Sequence, residues 1–223
     1  MPMSARCGGT DVTEHREEVG RSFWERNAGR YDQSMALFGG PVPRMAELVA
    51  ETVRGSARAL ELASGTGLVT EAIAPVVASL LATDYAESMV RATRARVGHM
   101  ANVRCEARNV YALGERAGSF DAVIAANVLH LLPDLAGGLA AMREVLTSDG
   151  KLVVPTYCHG QDLRARVVSG ALSVVSFPVA RRFDISGLLA AVVESGFVVE
   201  RSELLRGVLP IGFVVATPRR EAR

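Results

Sequence analysis

The chain has 223 residues, 49% of them hydrophobic, with 25 Lys or Arg against 24 Asp or Glu. That length suits one α/β domain with a full core and is too short for two ordinary ones. The nearly cancelling charges set up no global field of the kind that gathers nucleic acid, which points to small-molecule partners and no nucleic acid.

Residues 1–16 mix Gly, Ser, Thr and charge without periodicity and are expected to be a disordered tail. From residue 17 the pattern turns amphipathic, with Val19, Phe23, Tyr31, Met35 and Phe38 on one helical face and Gly39-Gly40-Pro41 closing it. A second helix is predicted over 43–54, with Met45, Leu48, Val49 and Val53 on one side and Gly55 ending it. Together these make a helical cap.

The run Ala59-Leu60-Glu61-Leu62 breaks into Ala63-Ser64-Gly65-Thr66-Gly67 and then into the helical Leu68-Val69-Thr70-Glu71-Ala72-Ile73-Ala74. A buried strand feeding a Gly-x-Gly corner lets a ligand's ribose lie against bare backbone, because Gly65 and Gly67 carry no Cβ. A dinucleotide would place a doubly negative pyrophosphate here, and Glu61 would oppose it. S-adenosylmethionine (SAM) has no phosphate and carries a sulfonium and an ammonium, so a carboxylate at the strand's end attracts it. Thr70, where the dinucleotide fingerprint wants a third small residue, argues the same way.

Short apolar runs then alternate with helical stretches: 79–83, 86–97, 103–106, 120–126, 135–146 and 151–155. Such alternation predicts right-handed crossovers and a doubly wound α/β sheet covered on both faces. Ser148-Asp149-Gly150 is read as the turn that ends the helix before the fifth strand. A helix over 185–194, a strand over 197–201 and a final strand over 208–216 complete the chain.

Four stretches, in order, resemble the motifs of class I SAM-dependent methyltransferases, of the small single-domain type that acts in quinone biosynthesis and on phospholipids. Glu61-Leu62-Ala63-Ser64-Gly65-Thr66-Gly67 is similar to the glycine-rich first motif. Asp84-Tyr85-Ala86-Glu87-Ser88-Met89 is similar to the second, with Asp84 lying 17 residues past Gly67, close to the roughly 20-residue reach of a carboxylate that grips a ribose. Phe120-Asp121-Ala122-Val123-Ile124 with Asn127-Val128-Leu129-His130 is similar to the fourth, and Leu146-Thr147-Ser148-Asp149-Gly150-Lys151-Leu152 to the turn into strand five. The third motif departs from the pattern, since Glu106-Ala107 stands where the family has Asp-Ala. The longer acid accepts the same hydrogen bond from an adenine amine.

The resemblance implies a mostly parallel, seven-stranded Rossmann-like sheet with an antiparallel last strand and an N-terminal helical cap. It implies one domain over 17–223: a cap over 17–55, a cofactor-binding core over 56–156, and an acceptor lid with the C-terminal strands over 157–223. Its cofactor is SAM, held by Tyr31, Glu61, Ala63, Ser64, Gly65, Gly67, Asp84, Tyr85, Glu106, Ala107, Asn109 and Asn127. The bland readings stay open beside these: Asp84 as a helix cap, Glu106 as a solvated acid, Tyr31 as a core aromatic.

Methyl transfer is an in-line displacement at a carbon activated by positive sulfur, so positioning and water exclusion carry much of the rate and no metal is required. A base is needed only where the acceptor must lose a proton. His130 and His159 lie after strands four and five, at the strand ends where open α/β sheets keep their sites, and either serves as that base or is an ordinary loop histidine. The apolar 163–183 stretch suggests an apolar or aromatic acceptor. Arg21, Arg26 and Arg30, with Phe23 and Trp24 between them, fit an interfacial helix, which keeps open peripheral membrane contact and a phospholipid-headgroup N-methyltransferase. A SAM-binding protein without catalysis and an NAD-dependent oxidoreductase are the remaining alternatives. Cys7, Cys105 and Cys158 suit free thiols in a reducing, cytoplasmic setting. No apolar stretch approaches the ~20 residues of a spanning helix.

Overall fold

The computed structural model describes residues 40–158 and 180–220, together with Ser22 and Glu25. The expected tail, the first cap helix with Tyr31 and its arginines, His159 and most of the 163–183 stretch lie outside these residues.

Five strands run parallel: β1 (Ala59–Leu62), β2 (Leu80–Asp84), β3 (Val103–Ala107), β4 (Phe120–Ile124) and β5 (Leu146–Val153). Every residue of β1 and β2 is buried, which is why these strands read as apolar runs rather than alternating ones. The sheet order is β3-β2-β1-β4-β5-β8-β6, where β6 is Thr156–Tyr157 and β8 is Ile211–Pro218, and β7 (Phe197–Leu205) pairs with β8. All three pairings of the last strand, with β5, β6 and β7, are antiparallel. The order reverses between β1 and β4, the point where sheets of this kind keep their ligands.

The expected mostly parallel sheet is present, and its strands number eight because the two residues of β6 pair separately with the start of β8. A second difference concerns Gly150. Helix α4 (Leu135–Val145) ends at once into β5, Leu146 already opposes Phe120, and the register slips so that Lys151 opposes Ala122. Residues 147–150 are therefore an irregularity inside the strand, not the helix end. Gly150 is needed there for space: a Cβ would stand 2.8 Å from Leu146 Cδ2 and 3.1 Å from the Phe120 carbonyl oxygen.

Strand alternation divides the core between the two faces. Leu60, Leu62, Val123 and Leu152 pack with Leu139 and Met142 of α4 and with Leu188 and Val192 of α5 (Ile185–Glu194). Ala59, Ala122, Ile124 and Val153 pack on the other face with Met45, Leu48 and Val49 of α1 (Val42–Val53) and Ile73 of α2 (Leu68–Ile73). Glu61, two residues after Ala59, is thereby turned toward the α2 face. Helix α3 is Glu87–Val97.

Candidate cofactor site at the ends of the first two strands

The turn after β1 is built from backbone that side chains resist. Ala63, Gly65 and Gly67 take φ of +53°, +59° and +85°, in the left-handed region that glycine enters at little cost. Ala63 thus stands in a glycine-like conformation. The two glycines differ in kind. A Cβ at Gly67 would come 3.1 Å from the Cα of Thr93 in α3, whereas one at Gly65 meets nothing within 4 Å. Gly67 is held by packing against α3, and Gly65 faces open space.

Thr93, itself fully buried, ties this turn together. Its Oγ1 donates to the Gly65 carbonyl at 2.9 Å and lies 3.0 Å from Ser64 Oγ. A hydroxyl has one proton to give, so Ser64 is the donor in the second contact. Arg96 Nε donates to the Thr66 carbonyl at 2.9 Å. The sequence reading missed Thr93, whose one visible signal is a hydroxyl on the inward face of the helix that follows Asp84.

Two acids close the site. Asp84 ends β2 with Oδ2 accepting from Gly65 N and Oδ1 from Ala86 N, both at 2.9 Å. It is the partner of the glycine turn and of the residue that leads α3, but not that helix's cap, which is Ala86 with no side-chain cap bond, and each oxygen keeps a further lone pair. Burial pushes its carboxyl up, the N–H groups of Ala86, Gly65 and Tyr85 pull against that, and the Glu25 charge adds to it. Glu25 approaches from the N-terminal segment, accepting from Ser88 N at 3.2 Å.

Glu61 is 1% exposed, and its Oε2 accepts from Thr70 Oγ1 at 2.6 Å. Burial raises its carboxyl to about 8, with the Thr70 hydrogen bond opposing and the Asp84 charge reinforcing the rise. This corrects the expectation of a standing negative charge: without a cation beside it, Glu61 is mostly protonated near neutral pH. Thr70, first read only as an argument against a dinucleotide, is the partner of that acid.

At the end of β3 the structure engages Glu106 elsewhere. Arg108 donates to its Oε2 from Nε at 3.0 Å and from Nη2 at 2.6 Å, and Arg104 reaches its Oε1. The Arg108 hydrogen bonds hold this half-buried carboxyl below its usual range. Arg108 continues to Glu115 at 2.9 Å, so Glu106 belongs to a chain of ion pairs along the sheet edge. Ala107 is the last residue of β3, opposite Asp84, and Asn109 Oδ1 accepts from Tyr111 N at 3.0 Å.

Across the switch point, His130 sits in the 3-10 turn Leu129–Leu131, 1% exposed, its ring edge-on to Tyr157 at 6.0 Å. Asn127 takes φ of +54° at the exit of β4. Burial raises the Cys158 thiol to about 11, which leaves it inert at neutral pH. No group of three His, Cys, Asp or Glu among the described residues is placed to hold a metal.

Residues 60–154 match the family model described as "Methyltransferase domain". The chain is 32% identical over 108 residues to the ubiquinone/menaquinone biosynthesis C-methyltransferase of Citrifermentans bemidjiense, covering 46% of each protein. It is 32% identical over 118 residues to the ubiquinone biosynthesis O-methyltransferase of Xanthomonas axonopodis pv. citri, covering 52% of this chain and 49% of that one. The chain thus spans about half the length of these curated relatives. Among solved structures it is similar to the Burkholderia thailandensis 1,6-didemethyltoxoflavin-N1-methyltransferase with bound 1,6-didemethyltoxoflavin and S-adenosylhomocysteine (SAH). That likeness has a TM-score of 0.76 at 17% identity and covers 98% of this chain and 94% of the other. The stretch carrying the glycine turn, both acids and Asn127 thus matches a methyltransferase domain, and the chain shares the fold of the Burkholderia methyltransferase.

Proposed function

We propose that this chain transfers a methyl group from SAM to a small apolar or aromatic acceptor. The observation that carries the reading is the pair of buried carboxyls, Glu61 and Asp84, flanking a backbone turn whose Gly65 position faces open space. A pyrophosphate entering this turn would meet both acids, with Arg96 on the Thr66 carbonyl as the nearby cation, whereas an ammonium and a sulfonium are welcome beside the two carboxyls. Arrival of the cation draws Glu61 into its ionised form, since an opposite charge nearby lowers a carboxyl's pKa.

In this reading Ala63, Ser64, Gly65 and Gly67 line the cofactor with backbone. Asp84 receives the ribose hydroxyls on the lone pairs its backbone partners leave, and Tyr85 flanks it. Ala107, Asn109 and Glu106 border the adenine side, Glu106 sharing its oxygens with Arg104 and Arg108. When bound, SAM supplies a methyl carbon to which the acceptor's lone pair bonds as the carbon–sulfur bond breaks, the electron pair staying on sulfur to give SAH. An acceptor that must shed a proton gives it to His130 or His159.

Calorimetry with SAM, SAH and NAD tests the cofactor, with binding of the first two expected. Heat with NAD alone would refute the reading. Formation of SAH during incubation with phenolic and heteroaromatic acceptors then distinguishes an enzyme from a protein that only binds SAM.

A further inference from the structure

Asn127 combines three unusual features. Its φ of +54° is left-handed, its Oδ1 is buried with no hydrogen-bond partner among the described residues, and its amide nitrogen spends itself on the weak acceptor Met45 Sδ at 3.7 Å. Asparagine enters the left-handed region more readily than most residues, but a buried carbonyl oxygen left unpaired costs about 1–3 kcal/mol wherever it occurs. Such an atom at the carboxyl end of a central strand marks a place where a ligand's donor is received.

Its neighbours say which ligand. The backbone N–H of Asn127 donates to the Pro155 carbonyl at 2.7 Å, tying the residue to the end of β5, across β4 from the glycine turn and its acids. Met45 of α1, on the other side, belongs to the same apolar cluster as Tyr157, Leu209 and Ile211, against which Ala126 packs. Among the described residues the hydrogen-bond partners of Asn127 are Met45 Sδ and the Pro155 carbonyl, and neither is a carboxylate that would balance an ammonium. A neutral amide oxygen in an apolar wall suits a neutral N–H or O–H.

Resting on the reading of this site as one of methyl transfer, we propose that Asn127 orients the methyl acceptor, its Oδ1 receiving a neutral O–H or N–H of an otherwise apolar, aromatic molecule. The probes are phenol and anisole, which differ by the hydroxyl proton, titrated into SAH-saturated protein. Wild type should prefer phenol by about tenfold, the worth of one buried neutral hydrogen bond. At saturating SAH, Asn127→Gly, which accepts the left-handed backbone, should lose the preference, and Asn127→Asp, which keeps an acceptor, should retain it. Equal affinity of wild type for the two probes would overturn the inference. So would a loss of SAH affinity in Asn127→Gly with methylthioadenosine unaffected, because that pair places Asn127 at the amino-acid end of the cofactor. Failure of wild type to bind SAH at all would instead remove the methyl-transfer reading, and the inference with it.

Discussion

Glu61→Gln is expected to make the protein more stable and its cofactor site worse. In the unfolded chain Glu61 ionises at its usual 4.5, and in the fold it holds its proton to about 8. A group that binds more protons when folded lowers stability as pH rises between those two values, and the loss is complete above the upper one. The interval from 4.5 to about 8 is about 3.5 pH units, which at about 1.4 kcal/mol each gives a ceiling of about 5 kcal/mol at pH 8.5 and about 3 at pH 7. Glutamine keeps the acceptor for Thr70 Oγ1 and has no proton to lose, so the variant escapes this penalty. Near pH 5 the two proteins should unfold at similar denaturant concentrations. By pH 8.5 the variant should be ahead by several kcal/mol, or on the order of 10 °C in Tm for a domain of this size. The same variant should bind SAM about tenfold more weakly, since the amide cannot ionise to meet the cation. Urea denaturation of both proteins from pH 5 to 8.5 measures the first effect. Parallel stability curves across that range would show that Glu61 does not titrate there and that the burial argument is wrong.

The two glycines should separate packing from ligand access. Gly67→Ala forces a Cβ to within 3.1 Å of Thr93 Cα and should cost about 1–3 kcal/mol of stability, read as a lower urea midpoint. Gly65→Ala, with no protein atom in the way, should cost only about 1 kcal/mol yet weaken SAH binding far more, as measured by calorimetry; equal effects on the two quantities would contradict the assignment of Gly65 to the ligand face. Thr93→Val removes the donor to the Gly65 carbonyl and the acceptor for Ser64 and should destabilise by about 1–3 kcal/mol, visible in thermal melts. Glu106→Gln loosens a partly buried ion-pair chain worth on the order of 1 kcal/mol. A drop in affinity for SAH that is also seen with adenosine alone would assign Glu106 to the adenine, and unchanged binding would leave it to Arg104 and Arg108.

Much of the fold was legible because it is written in local pattern. Apolar runs of four or five residues between amphipathic helices specify buried parallel strands, and the helix over Ile185–Glu194 appeared where its periodicity places it. The glycine turn was legible for the same reason, since left-handed backbone at 65 and 67 demands residues without a Cβ. What lay beyond local pattern was decided by partners far away in the chain. Whether Glu61 carries charge depends on burial beneath α2 and on Thr70, which only the packed helix supplies. Glu106 is the exception: Arg104 and Arg108 stand two residues either side of it, where an extended strand sets them on one face, so its ion pairs lay within reach of local pattern. The start of β5 at Leu146, rather than after Gly150, is set by pairing with Phe120, and β6 exists only because β8 returns antiparallel beside it. Chain-local forces choose helix, strand and turn within a few residues of their cause. The protonation of a buried acid and the register of a strand are settled by desolvation and hydrogen bonding between segments that meet only once the sheet has closed.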